Sequence, residues 1–309
     1  MAIDPLLLFF ALGIAARLLG SDLRLPPALT ETITLLLLLA IGLKGGMELR
    51  AQPLTELWAP LAAVVALGIV TTLASFRALG SLVKLDRAEA AAVAAHYGST
   101  SIGTFAVAVA LLSQRGLPHE PFLPLCVVLL EIPGILVGIS LARGNGLSWS
   151  VLHETATGKS LVALLGGLAV GAAAGHEGLA SVTPLFVDGF RPALSLFLLE
   201  MGIVCAARLT TLRKNGVRLA LFGVAMPIVN AGFGLAAGVL LGLSVGGTAL
   251  LATLAASASY IAAPAAVGQA LPQVNPALAL GPALGVTFPF NVLVGVPLYV
   301  TLADLVHRI

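Results

Sequence analysis

Long apolar stretches recur along the whole chain, separated by short segments in which Pro, Gly or charged residues cluster. A helix that crosses the lipid core needs about 20 mostly apolar residues, and these stretches are close to that length. The sequence therefore predicts an all-α polytopic membrane protein with ten transmembrane helices. The predicted spans are 5–20, 27–43, 58–80, 88–112, 121–142, 158–175, 191–207, 217–241, 247–270 and 281–303.

The ten predicted spans fall into two sets of five. The longest mixed interruption, 143–157, separates a first five-helix repeat, 1–142, from a second, 158–309. The fifth and tenth spans carry similar motifs, Glu-Ile-Pro at 131–133 and Thr-Phe-Pro at 287–289. Because each half has an odd number of spans, the halves must run through the membrane in opposite directions. The sequence thus predicts an inverted five-plus-five repeat.

The composition narrows the classes of function. Hydrophobic residues make up 59% of the chain and charged residues 10%, against about 25% charged in an ordinary soluble domain. The 309 residues leave no room for a separate catalytic domain beside ten spans. The net charge is only +2 and the basic residues are scattered, which argues against a nucleic-acid partner. Membrane lipid is the expected environment.

Smaller features agree with this interpretation. The first apolar run lacks a basic leader and follows Asp4, so it is interpreted as the first span and not as a cleaved signal peptide. Cys126 and Cys205 lie inside apolar runs and are expected to pack as small hydrophobes.

The distribution of Lys and Arg predicts the orientation, because cytoplasmic loops carry an excess of these residues. Eleven basic residues fall on one side of the predicted spans and five on the other. The side with eleven is predicted to be cytoplasmic, which leaves both termini outside. The first set is Arg17, Arg24, Arg77, Lys84, Arg87, Arg143, Lys159, Arg208, Arg213, Lys214 and Arg218, and the second is Lys44, Arg50, Arg115, Arg191 and Arg308.

Two predicted spans contain a polar interruption near their middle. The fourth carries Gly98–Ser101, and the ninth carries Ser257–Pro264. Gly lets the backbone unwind, Ser and Thr suit an N-cap, and Pro fits the first turn of a restarted helix. Each segment is therefore predicted to form helix, break, helix at corresponding positions of the two halves. Such crossed breaks are where inverted-repeat transporters bind their substrates.

The charge pattern restricts what these breaks could bind. No Lys or Arg occurs between Arg87 and Arg115, or between Arg218 and Arg308. An anion there must be held by helix N-termini and hydroxyl groups, with a co-bound cation near the helix C-termini. This favours a small, weakly charged oxyanion over a di- or tricarboxylate. The hydroxyls available are those of Ser99, Thr100, Ser101 and Ser259.

Several of these residues allow a purely structural interpretation. Small residues in membrane helices also serve close helix packing. Glu131 could be a cation ligand, a proton carrier or a hydrogen-bonding partner of the broken helix. Asn291 could offer an oxygen to sodium or bond another helix. His96 is expected to be a hydrogen-bonded residue at a helix end, and Glu31 and Glu200 are expected to make interfacial or cross-helix polar contacts.

Motifs throughout the chain resemble the sodium-dependent bicarbonate transporters of the SbtA family. The resemblance covers most of the sequence. It rests on Ile41-Gly42-Leu43-Lys44-Gly45-Gly46, His96-Tyr97-Gly98-Ser99-x-Ser101, Glu131-Ile132-Pro133, the run Ala256–Ala266 and Gly285-Val286-Thr287-Phe288-Pro289-Phe290-Asn291.

The resemblance implies a bacterial plasma-membrane homotrimer that transports bicarbonate together with sodium. It implies a core domain of spans 3–5 and 8–10, about 58–142 and 217–303, which moves against a gate domain of spans 1, 2, 6 and 7 in an elevator-like cycle. The cyanobacterial members have a longer segment between the halves. The short 143–157 linker here argues against regulation by a PII-like partner protein.

The resemblance also implies the binding residues. Bicarbonate would be held at Gly98, Ser99, Thr100 and Ser101 in the first break and at Ser259, Tyr260, Ile261 and Ala262 in the second. The candidate sodium ligands are Ser101, Thr104, Ser257, Thr287 and Asn291.

Three hypotheses follow. The first is sodium–bicarbonate symport. The second keeps the fold with another cargo, either a different small anion coupled to sodium or protons, or sodium/proton exchange. The third, an intramembrane serine hydrolase, is disfavoured because no Gly-x-Ser-x-Gly elbow occurs at the first break. The chain is therefore not expected to be an enzyme.

Overall fold

The computed structural model describes residues 4–50, 57–144, 149–212 and 216–308, and helices make up nearly all of that part of the chain. The charged residues Arg213 and Lys214 and part of the predicted linker lie outside the described residues. The helices are α1 Pro5–Leu18, α2 Pro27–Leu49, α3 Trp58–Ala78, α4 Arg87–Tyr97, α5 Ile102–Gln114, α6 Leu123–Arg143, α7 Trp149–Ala156, α8 Lys159–Leu179, α9 Phe190–Leu212, α10 Val217–Leu240, α11 Val245–Ala256, α12 Ala262–Ala270 and α13 Pro276–His307.

Short polar side chains determine where many helices begin. An oxygen of each accepts a backbone N–H of the first turn, which satisfies a donor that the helix itself leaves free. These N-caps are Asp4, Asp86, Ser101, Ser244 and Asn275, at the starts of α1, α4, α5, α11 and α13.

The last helix, α13, contains two wide π-helical turns, Ala283–Thr287 and Asn291–Gly295. Pro282 and Pro289 lie next to these turns or between them, and each lacks the N–H that a regular α-helix needs. The wider turns therefore keep the helix continuous past residues that would otherwise interrupt it.

In the part of the chain that the structure describes, eight helices are long and apolar enough to cross a membrane, counting α4 with α5 as one, and α1 and α11 are shorter apolar helices. The all-α prediction is confirmed for the described residues, whereas the total of ten spans and the inverted repeat stay predictions. Most predicted boundaries agree with the helices within a few residues. The sequence interpretation missed α7, which lies inside the predicted linker.

Helices α1, α2, α8 and α9 form one packed group, in which α2 runs along α8 and α1 along α9. Glycines permit this close packing. A Cβ added at Gly46 of α2 would lie 2.1 Å from the backbone oxygen of Leu168, and one at Gly13 of α1 would lie 2.0 Å from that of Leu199. We call these four helices the first group.

Helices α3–α6 and α10–α13 form a second group. Helix α6 packs against α3 and α4, and α11 packs against α10 and α13. The contacts between the two groups include an aromatic pair and a basic residue. The ring of Phe10 in α1 packs edge-on against that of Phe288 in α13, with 5.9 Å between centroids. Arg191 of α9 pairs with Asp4 and donates to the backbone oxygen of Ala110 in α5.

Candidate functional site

The first break separates α4 from α5. Helix α4 ends at Tyr97, and α5 begins after Ser101, whose hydroxyl accepts the backbone N–H of Thr104 at 3.1 Å. Every residue from Gly98 to Ser101 is buried. The predicted Ser N-cap of a restarted helix is therefore present.

The second break separates α11 from α12. Helix α11 ends at Ala256, and α12 begins at Ala262 with Pro264 in its first turn, as the sequence predicts. The hydroxyl of Ser259 accepts the N–H of Ala263 at 3.1 Å. Ser259 is buried, but Tyr260, Ile261 and Ala262 are only partly buried.

The two breaks cross and are hydrogen-bonded to each other. The N–H of Ser259 donates to the carbonyl of His96 at 2.8 Å, and the Ser259 carbonyl accepts from His96 Nδ1 at 2.7 Å. The N–H of Ser101 donates to the hydroxyl of Ser257 at 2.9 Å. The crossing segments are antiparallel, so the N-terminus of α5 lies beside the C-terminus of α11. His96 is thus a hydrogen-bonded residue at a helix end, as expected.

Several donors at this crossing remain free. Within the described residues, the backbone amides of Ile102 and Ala262 have no acceptor. The Tyr260 hydroxyl lies against Ser101 and Gly103 without a well-aligned hydrogen bond. Free amides at two helix N-termini carry a partial positive charge. They are suited to hold a small anion without a basic side chain.

One opening reaches the second break. It has a volume of about 360 Å³, and we call it the Ile261 vestibule. The carboxylate of Glu31 in α2 pairs with Lys159 of α8 there, which is an expected cross-helix contact. The carboxylate of Glu200 accepts the N–H of Leu25, in the segment before α2, at 2.9 Å. Its lining is Leu25, Pro27, Thr30, Glu31, Thr34, Leu35, Leu38, Lys159, Ser160, Glu200 and Ile261.

A second cavity, of about 290 Å³, lies toward the opposite ends of α2 and α9, and we call it the Lys44 cavity. It is lined by the charged residues Lys44 and Glu48 of α2 and Arg191 of α9, and by apolar residues that include Phe105 of α5. None of the residues that line it belongs to either break. Of these two cavities, the Ile261 vestibule reaches the second break, at Ile261, and the Lys44 cavity reaches neither break.

The candidate sodium ligands are placed unequally. Ser101, Thr104 and Ser257 lie together, since the Ser101 hydroxyl also accepts from Thr104 Oγ1 at 2.8 Å. Asn291 reaches the C-terminus of α11, where Nδ2 donates to Ala256 O at 2.9 Å. Thr287 is elsewhere: its hydroxyl donates to Gly223 O at 2.7 Å and contacts the Tyr97 hydroxyl at 2.6 Å.

Asn230 was missed by the sequence interpretation. This fully buried residue of α10 donates Nδ2 to the carbonyl of Tyr97, at the C-terminus of α4, at 3.5 Å. Asn291 makes the corresponding contact at the end of α11. An Asn in the middle of an otherwise apolar span was the signal that could have identified it.

The chain matches a known protein family over almost its whole length. Residues 5–304 match the family model of the Na⁺-dependent bicarbonate transporter superfamily. The match includes both breaks and every candidate binding residue. No curated protein matches the chain.

Proposed function

Because this chain belongs to the Na⁺-dependent bicarbonate transporter superfamily, we propose that it is a secondary transporter that carries bicarbonate into the cell together with sodium. The observation that supports this most directly is the set of free amides at the crossing of the two breaks. They offer hydrogen bonds to a small monovalent oxyanion where the sequence has no Lys or Arg.

Bicarbonate is proposed to bind between the N-termini of α5 and α12. The free amides of Ile102 and Ala262 and the hydroxyl of Tyr260 are the available donors. Gly98, Ser99, Thr100, Ser101, Ser259 and Ile261 complete the proposed binding region. Sodium is proposed to neutralise the anion near the C-terminus of α11, with Ser101, Thr104, Ser257 and Asn291 as ligands. Thr287 is retained as a more remote candidate.

Transport is proposed to follow an elevator-type cycle. The second group of helices, which carries both breaks, would act as the core domain, and the first group as the gate. The Ile261 vestibule lies at the end of α2 near Arg24 and Lys159, which the charge distribution predicts to be cytoplasmic. This conformation would therefore be open to the cytoplasm, and the Lys44 cavity would face outside.

The same proposal includes ten spans in an inverted five-plus-five repeat, with both termini outside a bacterial inner membrane. The eight long apolar helices, together with α1 and the α11–α12 pair, would supply the ten. A homotrimer is proposed from the resemblance, whereas a PII-like regulator is not, because the linker is short.

The test is uptake of labelled bicarbonate into proteoliposomes, with and without an inward sodium gradient. We expect saturable uptake that needs the gradient and is lost in Ser101→Ala. Each variant must first elute as a folded protein, because Ser101 also caps α5. Uptake that is unaffected by removing sodium would overturn the proposal.

A second candidate keeps the fold but changes the cargo to another small anion or to sodium/proton exchange. The observation that favours it is the buried carboxylate of Glu131, one oxygen of which has no partner among the described residues. A sodium gradient that moves protons in bicarbonate-free vesicles, with the flux abolished in Glu131→Gln, would support exchange.

A further inference from the structure

Glu131 is a carboxylate buried inside α6, with only 1% of its surface exposed. Its Oε2 atom has no hydrogen-bond partner in the described part of the chain, and no basic side chain is paired with Glu131 there. A carboxylate in such surroundings is stable only when it is neutralised, either by a proton or by a cation. Because no basic side chain does this among the described residues, Glu131 must either carry a proton or bind a cation from outside the protein.

The side of α6 that carries Glu131 packs on the first break. The carbonyl of Val127, four residues earlier, accepts the hydroxyl of Thr100 at 3.2 Å. Gly134, three residues later, contacts Gly98 and Ser99 so closely that an added Cβ would lie 2.2 Å from the Gly98 oxygen. Residues spaced by three and four share one face of a helix. Glu131 thus lies midway along the contact between α6 and the break.

The hydroxyl oxygen of Ser99 is a second oxygen at this contact that has no hydrogen-bond partner among the described residues. Of the three consecutive hydroxyls in the break, that of Thr100 donates to Val127 and that of Ser101 is bonded to Thr104. The hydroxyl of Ser99 is buried and has no partner among the described residues. The Ser99 N atom would lie 2.6 Å from a Cβ at Gly134, so its backbone touches the same face of α6.

We propose that Glu131 and Ser99 form a sodium site on the α6 side of the first break, completed by backbone carbonyls. Hard cations take oxygen ligands, with carboxylates and carbonyls prominent among them. This site is separate from the candidate ligands Ser101, Thr104, Ser257 and Asn291, which already share hydrogen bonds at the crossing. It rests on the proposed sodium-coupled function and adds a second cation to it.

The site is tested by equilibrium binding of ²²Na⁺ to the purified full-length protein, with and without bicarbonate. We expect Glu131→Gln to lower the number of sodium ions bound per chain by one. Ser99→Ala should weaken binding at one site by at least about tenfold, the effect of losing one interaction with a charged group. Glu89→Gln, the same substitution at a partly buried position in the first turn of α4, should bind as the wild type does.

The possible results separate this site from the proposed function. If bicarbonate uptake needs sodium but Glu131→Gln binds as many sodium ions as the wild type, the site is refuted and the function stands. If the wild type does not transport bicarbonate but Glu131→Gln still loses one sodium, the site stands and the function falls. Unchanged sodium binding with a lost sodium-driven proton flux would make Glu131 a proton carrier and overturn the site. If Glu131→Gln does not fold, unchanged binding in Ser99→Ala overturns it.

Discussion

The two helix breaks share their chemistry but differ in their surroundings. The first is completely buried, and glycine backbones hold it against its neighbours: a Cβ at Gly98 would lie 1.7 Å from the Thr72 hydroxyl. The second contains no glycine, its residues Tyr260, Ile261 and Ala262 are partly exposed, and Ile261 lines the Ile261 vestibule. The first break is a fixed frame, whereas the second provides access for the ligand.

The largest effect on stability and uptake is expected from a substitution that disturbs the packing around the first break. Gly134→Ala places a Cβ 2.2 Å from the backbone carbon and oxygen of Gly98, and backbone atoms on both sides leave little room to relax. Overpacking of this kind costs about 1–3 kcal/mol or more. We expect a lower thermal unfolding midpoint in detergent and loss of bicarbonate uptake.

Gly166→Ala in α8 is the matched control, because a Cβ there meets nothing within 4 Å. In a helix interior the same change stabilises by about 0.5–1 kcal/mol. If Gly134→Ala were as stable and active as this control, the first break would not be a rigid frame.

A smaller effect is expected from the hydrogen bonds that join the breaks. Ser257→Ala removes the acceptor of the buried Ser101 N–H, and an unsatisfied buried donor costs about 1–3 kcal/mol. Ser259→Ala removes only a cap on Ala263, worth about 0.5–2 kcal/mol. Unfolding midpoints should therefore fall further for Ser257→Ala.

Ser195→Ala is the control for removing a hydroxyl, since among the described residues that side chain bonds the carbonyl of Arg191 within its own helix and no other group. It should leave the midpoint nearly unchanged. A greater loss of stability in Ser259→Ala than in Ser257→Ala would contradict the assignment of the frame to the first break.

The contrast between the breaks also explains what the sequence could and could not predict. Gly98–Ser101 and Pro264 are local signals, because Gly, Ser and Pro act on the backbone at their own positions. The bond from Ser101 to Ser257 joins residues 156 positions apart, and no local pattern specifies that pairing. The location of each break was predictable, and a crossing of the two was expected from the inverted repeat, but the residues that bond across it and the amides left free were not.

The exposure of the second break depends on tertiary packing, so it could not be predicted from the sequence either. Ile261 lines the vestibule because α2 and α9 leave a gap beside it, and those helices come from other parts of the chain. Asn230 was overlooked for a related reason, since its contact with Tyr97 depends on how α10 packs on α4.

The difference in access can be measured directly with introduced cysteines. Ala262→Cys, at the partly exposed break, should react with a water-soluble thiol reagent at least about tenfold faster than Ser99→Cys, because thiol reactivity follows exposure. Mass spectrometry of the purified protein gives both rates. The native Cys126 and Cys205 are buried and supply the unreactive background. Equal rates at the two positions would show that both breaks are equally accessible to the reagent, which would contradict the difference described above.

The smallest effect is expected at the Tyr260 hydroxyl, which lies against the N-terminus of α5. The Tyr260 hydroxyl makes no well-aligned hydrogen bond within the described residues, so Tyr260→Phe should change stability by less than about 0.5 kcal/mol. If that hydroxyl donates to bound bicarbonate, its loss should raise the KM for uptake by about two- to tenfold, the value of one hydrogen bond. Initial rates at several bicarbonate concentrations give the KM.

Tyr299→Phe is the same chemical change at another position, and we expect the opposite result, a loss of stability without a change in the KM. Its hydroxyl donates to Asn291 Oδ1 at 2.9 Å, so its loss should lower stability by about 0.5–1.5 kcal/mol. Because Asn291 is a proposed sodium ligand, the KM for bicarbonate should stay nearly unchanged when it is measured at saturating sodium. Because both tyrosines lose only an oxygen, a raised KM in Tyr260→Phe alone would identify the second break as the place where the anion is recognised. Equal KM values would restrict anion binding to the backbone amides, which no side-chain substitution removes.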